Sequence, residues 1–151
     1  MLGLREEGEK NKMKGYKGFD GNLQCNGFQY EVGKTYEAKG KISLCKNGFH
    51  FCKEAKAIAS YYYTLDSCRY CEIKASGKII KGDNKCVCSK ITIVREIPLK
   101  EFLTLVNKGS NNFGWDNDGD NNKGDFNDGN SNIGNCNKKN CKTKHKPIML
   151  S

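Results

Sequence analysis

The sequence predicts an α+β domain with a small, mostly antiparallel sheet and two helices, followed by a C-terminal Asn/Gly pentapeptide-like tail. Two observations predict this class: short β-type runs are separated by turn residues, and two segments carry apolar residues at helical spacing. Strands and helices in separate runs are typical of α+β domains. Hydrophobic residues make up 36% of the 151 residues, below the usual ~45–50% (a figure that also counts glycine), so the core should occupy only part of the chain.

Composition divides the chain into four segments. A charged lead-in, residues 1–17, precedes the α+β domain at residues 18–109; the pentads follow at 110–137 and a basic tail at 138–151. Because no window has the apolar length of a signal peptide or a membrane span, we expect a soluble, cytoplasmic protein without a membrane partner.

Strands are predicted in four regions of the domain. Residues 21–36 have the turns Asn26-Gly27 and Gly33-Lys34 between extended runs, which favours short strands. Residues 44–52 are expected to form a strand pair broken at Asn47-Gly48. Residues 70–80 and 87–97 are rich in Ile, Val and Cys, and predict two longer strands joined by a turn.

Two helices are predicted from apolar spacing. The first places one apolar face at i, i+3, i+4 and i+7, with Ala55, Ile58, Ala59 and Tyr62. The second begins at Pro98, where a first-turn proline belongs, and repeats the spacing with Leu99, Phe102, Leu103 and Val106.

The C-terminal region is an internal repeat of the form N-x-G-x-x. Asparagines recur every five residues from Asn112 to Asn137, and glycines keep the same step from Gly114 to Gly134. In pentapeptide-repeat proteins four pentads form one coil, so these pentads would give only about one and a half coils, below the roughly three repeats that a solenoid needs. No apolar column runs through them either, and we expect the pentads to be disordered or loosely docked.

Charge distinguishes the pentads from the rest of the chain. Residues 111–136 carry −4, which leaves +13 on the remainder of a chain whose net charge is +9. Aspartates in a row resemble a phosphate backbone, which predicts a partner-binding strip that occupies a basic channel. Two of its segments also resemble the start of a weak calcium loop, although the glycine and glutamate of an EF-hand are missing. The aspartates of the strip are Asp116, Asp118, Asp120, Asp125 and Asp128.

Nine cysteines without an export signal favour free thiols or a metal site over disulfides. The first candidate is a structural zinc site of two close-spaced pairs, Cys68 with Cys71 and Cys86 with Cys88. Buried packing is the alternative for the same thiols. Two further groupings stay open: Cys136, Cys141 and His145 in the tail, and Cys45, His50 and Cys52 in the domain.

Several stretches carry a family resemblance. Residues 27–37 have the sequence GFQYEVGKTYE and residues 44–52 the sequence LCKNGFHFC; CEIKASG at 71–77 and CSKITIVREI at 88–97 complete the pattern. With these motifs the chain resembles a domain of unknown function that is common in bacteriophages and prophages, over roughly Lys14 to Phe102. Members of that family often carry pentapeptide-like repeats after the domain. The resemblance implies a mobile-element context and no assigned reaction.

Small phage proteins without enzymatic motifs often bind and block host machinery, and anti-CRISPR proteins, some of which inhibit an RNA-guided DNA nuclease, are one such class. Our hypothesis is therefore a binding protein that inhibits a host defence nuclease by protein–protein contact in the bacterial host cytoplasm, with zinc as a structural staple. A nucleic-acid-binding zinc module that uses the lysines directly is the alternative. A small enzyme that pairs Cys52 or Cys88 with His50 is the second, although no catalytic motif accompanies the pair.

Overall fold

The computed structural model describes residues 12–44, 46–61, 65 and 67–137. The chain forms two compact units that divide after Ile97. The first unit is a β-sheet and the second is a short helix followed by the repeat. None of the described helices is long and apolar enough to cross a membrane.

The first unit contains seven strands. Five of them form an antiparallel sheet in the order β1-β6-β7-β4, with β5 paired to β7, and β2 and β3 form a separate two-stranded sheet. Asn26 and Gly27, both with positive φ, form the turn between β2 and β3. The strands are β1 (Met13–Phe19), β2 (Gln24–Cys25), β3 (Phe28–Gln29), β4 (Thr35–Glu37), β5 (Phe49–Phe51), β6 (Arg69–Lys81) and β7 (Cys86–Glu96).

Hydrogen bonds connect the two edges of the larger sheet. β1 pairs with β6 on one side, and on its other side Tyr16 exchanges two 2.8 Å backbone hydrogen bonds with Cys52, directly after β5. Since β5 pairs with β7, these bonds close the sheet into a ring. Inward-facing residues of β1, β6 and β7 fill its interior; Phe19, Ile73, Ala75, Ile91 and Ile93 are all fully buried.

The predicted fold class is wrong in its helices, although the antiparallel sheet is present. The described residues contain a single α-helix, α1 (Leu99–Val106), and are mainly β. The other predicted helix is a 3₁₀ helix, Ala55–Ser60. Ala55 and Ile58 are its buried apolar residues, and a spacing of three residues fits a 3₁₀ helix as well as an α-helix.

The predicted lead-in is also too long, because β1 begins at Met13. Strand alternation explains the error. Gly15, Lys17 and Phe19 face inward and are buried, whereas the charged Lys14 is exposed, so a lysine-rich segment still forms a half-buried strand.

In the second unit the repeat forms a regular stack, which we name the asparagine coil (residues 107–137). Parallel bridges join residues ten apart, Lys108 to Asp118 to Asp128 on one side and Phe113 to Lys123 to Ile133 on the other. Each coil therefore contains two pentads, and three coils follow one another. Of the two predicted states of the tail, disorder and loose docking, this order contradicts disorder.

Asparagine amides replace an apolar column inside the asparagine coil. Its seven inward asparagines are at most 9% exposed and form two ladders, in which the side-chain oxygens of the first five accept from the asparagine ten residues later. These five buried oxygens are thereby compensated. The ladders consist of Asn107, Asn117, Asn127 and Asn137, and of Asn112, Asn122 and Asn132.

Helix α1 stands at the start of this stack. Phe102 packs edge-to-face on Trp115, with ring centroids 5.5 Å apart, and both side chains are buried. The backbone N–H of Asp116 donates to the carbonyl of Val106 at 2.6 Å. The helix thus covers the first coil with apolar side chains, as a terminal capping element does in repeat proteins.

Candidate functional site

The first unit contains a pocket of about 510 Å³, which we name the lysine pocket. It lies beside the middle of β1, the end of β5 and the 3₁₀ helix. Its volume is within the range of small-molecule sites, about 300–1,000 Å³. The residues that give it its chemistry are Tyr16, Lys17, Cys25, His50, Tyr61 and Lys85.

Lys17 is the unusual member of this pocket because its side chain is 5% exposed. Its ammonium nitrogen donates to the backbone carbonyl of His50 and lies 5.9 Å and 5.5 Å from the ring centroids of Phe19 and Tyr30. Burial lowers the pKa of Lys17, and the nearby thiols oppose that shift, Cys25 first. A lysine is almost never buried unless a partner compensates its charge. Among the described residues its partners are a carbonyl, aromatic rings and thiols, and none is a carboxylate.

A second lysine lies at the same pocket. The Lys85 ammonium is 5.1 Å from the ring centroid of Tyr61, which is half exposed. His50 responds to both lysines: burial lowers its pKa most, and the positive charges of Lys85 and Lys17 lower it further. The imidazole is therefore neutral at pH 7. The described lining of the pocket includes three basic residues and no acidic one.

The thiols near this pocket are held in their protonated form. Burial raises the pKa of Cys52 to about 11 and that of Cys88 to about 12, although Lys17 acts in the opposite direction on both. A nucleophilic cysteine requires a thiolate at neutral pH. The Cys/His enzyme stays a prediction, and these two thiols lack the lowered pKa that such chemistry uses.

The predicted zinc ligands lie at opposite ends of the β6–β7 hairpin. Cys71 is opposite Glu96, whereas Cys86 and Cys88 are opposite Lys81 and Ile79. Eight positions of β6 separate Cys71 from Ile79, which corresponds to roughly 26 Å of strand. Cys71, Cys86 and Cys88 are fully buried, and burial raises the pKa of Cys71 to about 12.

The antiparallel register of the hairpin explains this separation, since the start of β6 lies beside the end of β7. In the part of the chain that the structure describes, no three His, Cys, Asp or Glu side chains form a group that could hold a metal ion. Zinc stays a prediction for Cys68 and its three partners, and metal analysis of the protein with and without Cys68→Ser tests it. Of the other predicted groupings, Cys45, Cys141 and His145 lie outside the described residues.

The predicted aspartate strip is not one row in the structure. Asp118 and Asp128 share an exposed column, ten residues apart. Asp116 has a positive φ and does not belong to this column. The carboxylates of Asp120 and Asp125 have structural roles, because they accept hydrogen bonds from the backbone N–H groups of Ser110 and Trp115 at 2.8 and 2.9 Å. The asparagine coil therefore presents a two-aspartate column and uses two other aspartates to hold its coils together.

Sequence reasoning missed the lysine pocket. The alternation of β1 contained a signal for it, since Lys17 is two residues before Phe19 and must share its face. The position of Lys85 at the pocket depends on the β6–β7 turn, and no local pattern marks it.

Comparison with known proteins gives a family and no function. A search of curated proteins and a search of solved structures each found no match. A family model described as a domain of unknown function, DUF7666, matches residues 13–105, which confirms the uncharacterised domain expected over roughly residues 14–102. The match covers more than half of the sequence and includes every strand of the first unit and most of α1. The chain therefore belongs to the DUF7666 family.

Proposed function

We propose that this protein is a non-enzymatic binding protein that acts by protein–protein contact through the asparagine coil. One observation carries the proposal: the coil holds outward side chains in fixed columns. Asp118 and Asp128 form an acidic column, and the column of Phe113, Lys123 and Ile133 lies on the other side. Because the backbone is already ordered by its ladders, a partner does not have to offset the entropy of ordering it.

Exposed apolar side chains favour a protein as the partner. Phe113, Phe126 and Ile133 are 45%, 54% and 59% exposed on the surface of the coil. Large apolar residues rimmed by polar ones mark protein interaction sites, and aromatic residues are enriched in the cores of interfaces.

Charge favours a basic surface on that partner. Successive coils are spaced like neighbouring strands, about 4.8 Å, so Asp118 and Asp128 bring two carboxylates within reach of one lysine or arginine. The nucleic-acid channel of a host defence nuclease in the bacterial cytoplasm has the complementary charge. The resemblance to a bacteriophage domain supports that partner class, which makes the protein an inhibitor of the anti-CRISPR type.

The test is DNA cleavage by a panel of purified RNA-guided nucleases in the presence of the full chain. We expect inhibition of at least one of them, and we expect Asp118→Asn/Asp128→Asn to weaken it by about tenfold or more, since each amide removes one charge from the contact. The matched control is Asp83→Asn/Glu37→Gln, which removes the same charge from exposed positions of the first unit and should change inhibition by less than about twofold.

Two results would contradict the proposal. One is full cleavage by every nuclease in the panel at saturating protein. The other is salt-dependent binding of the protein to free DNA or RNA that accounts for all of the inhibition, because this would indicate the nucleic-acid-binding alternative.

A further inference from the structure

The lysine pocket has no part in the proposed contact, and its composition points to a ligand. Its described lining combines Lys17, Lys85 and His50 with the rings of Tyr16 and Tyr61, and includes no acid. Pockets that are mostly apolar and aromatic, with a few polar groups at fixed positions, are typical small-molecule sites. A lining with positive charge only selects ligands of negative charge.

The position of Lys17 makes this a built site. The side chain extends from a β1 position that faces inward, its nitrogen is anchored on the His50 carbonyl, and rings of Phe19 and Tyr30 lie beside it. An ammonium group has three donors, of which the His50 carbonyl engages one and the Cys25 thiol another. A buried cation is costly without a charged partner, so an anion that enters the pocket gains more from this lysine than from an exposed one.

We propose that the lysine pocket binds a small organic anion, whose phosphate or carboxylate group is held by Lys17 and Lys85 and whose planar part packs against Tyr61. The lysines supply point charges, which suit phosphate as well as carboxylate oxygens. Tyr61 is 46% exposed and lies at the Lys85 ammonium, so the ring surface and the charge that a planar anion requires are adjacent.

The electrostatics of His50 agree with this assignment. Burial lowers the pKa of its imidazole most, and the positive charges of Lys85 and Lys17 lower it further, so both lysines act on a group that lines the pocket. Binding of an anion should partly reverse that effect and raise the pKa of His50. A titration of His50 therefore reports occupancy of the pocket without any assumption about activity.

The experiment is a calorimetric and NMR titration of the full chain with inorganic phosphate, benzoate, the nucleoside monophosphates and the matching uncharged nucleosides. We expect saturable binding of at least one organic anion, at least about tenfold tighter than of its uncharged counterpart. Tighter binding of the monophosphates than of benzoate assigns a phosphate ligand, and the reverse order assigns a carboxylate.

Variants locate the ligand. Lys17→Met retains the apolar stem and removes the charge, and should weaken binding by about tenfold or more, while Lys85→Gln should weaken it severalfold. Lys90→Gln, at an exposed position of β7 outside the pocket, is the matched control and should bind like the parent. Thermal melts check that Lys17→Met is folded. If it is not folded, the affinity of Lys85→Gln alone decides whether the ligand binds in the lysine pocket.

The inference is overturned by any of three results. These are the absence of saturable binding up to about 10 mM of every anion, equal affinity for charged and uncharged ligands, and binding that both Lys17→Met and Lys85→Gln leave unchanged.

Discussion

The side-chain oxygen of Asn107 accepts two hydrogen bonds from Asn117, one from its backbone nitrogen at 2.7 Å and one from its Nδ2 at 2.9 Å. The same pair of bonds connects Asn127 to Asn117 and Asn137 to Asn127. A primary amide suits this ladder because it can donate in one direction and accept in the other. Asparagine is therefore the residue that holds each coil on the next.

Replacement of Asn117 by alanine should unfold the asparagine coil locally. The change removes the buried acceptor of both Asn127 donors and the partly buried donor to the Gly124 carbonyl. Because unsatisfied buried groups cost about 1–3 kcal/mol each, we expect a loss of roughly 2–4 kcal/mol in the free energy of unfolding of the second unit. Amide hydrogen exchange at Asn127 measures it.

The control for this change is Asp118→Ala, the neighbouring residue, whose side chain is exposed. It should leave exchange at Asn127 nearly unchanged, since exposed substitutions rarely exceed about 0.5 kcal/mol. If both variants accelerated hydrogen exchange at Asn127 equally, the asparagine ladder would stabilise the coil no more than an exposed side chain does.

Gly119 should tolerate no side chain. A Cβ at this position would lie 1.9 Å from the Gly129 carbonyl oxygen in the next coil, and its φ of 131° is one that other residues rarely adopt. Gly119→Ala must separate two coils and break their hydrogen bonds, so we expect the asparagine coil to lose its protection from amide exchange. Gly27→Ala is the matched control, with a positive φ of 79° but no atom within 4 Å. It should cost only about 1–2 kcal/mol, and similar damage from both variants would exclude close stacking as the cause.

The sequence contained the period of the repeat but not the number of pentads in a coil. A five-residue period is compatible with two pentads per coil as well as with four. The structure selects two, since bridges join Phe113 to Lys123 and Lys123 to Ile133. The prediction of disorder failed because it required an apolar column, whereas satisfied amides fill the interior instead.

The elements that were predicted correctly are those marked by a pattern within their own sequence. β6, β7 and α1 lie within about two residues of their predicted bounds, because β-branched runs and helical spacing around Pro98 mark them directly. The zinc prediction depended on which ends of two strands meet, and the hairpin register placed Cys71 far from Cys86 and Cys88 along the strands. Such pairings are set by tertiary structure, which no spacing of cysteines reveals.

Thiol alkylation should follow burial. Cys136 is exposed, whereas Cys71 and Cys88 are buried and burial raises the pKa of each to about 12. Because only the thiolate reacts, iodoacetamide near neutral pH should modify Cys136 in the native protein and leave the other two unmodified until denaturant is added. Mass spectrometry of peptides over time measures the order. Rapid native alkylation of Cys88 would indicate an activated thiol and would revive the Cys/His enzyme.

Lys17→Met should stabilise the first unit, and the gain should shrink as pH rises. Burial lowers the folded-state pKa of Lys17 below 10.5, so the unfolded chain binds more protons between the two pKa values. Stability of the parent protein therefore rises with pH in that window, and the penalty of the buried ammonium is largest below it. The difference in melting temperature between variant and parent, measured from about pH 6 to pH 10, should be largest below the folded-state pKa of Lys17 and should fall as pH rises from there toward 10.5.

Other groups near Lys17 do not alter the sign of this difference. The thiols of Cys52 and Cys88 have raised pKa values, and the stability that they contribute below pH 9.0 is lost as pH rises. Since Lys17 lowers both pKa values, this loss is larger in the variant than in the parent, and it makes the difference fall in the same direction. The lost hydrogen bond to the His50 carbonyl lowers the stability of the variant by about 1 kcal/mol at every pH. It therefore lowers the stability difference between variant and parent by a constant amount and does not change how that difference depends on pH. A melting-temperature difference that stays constant across the pH range would contradict the lowered pKa of Lys17. A difference that grows with pH would indicate that the pKa of Lys17 is raised on folding.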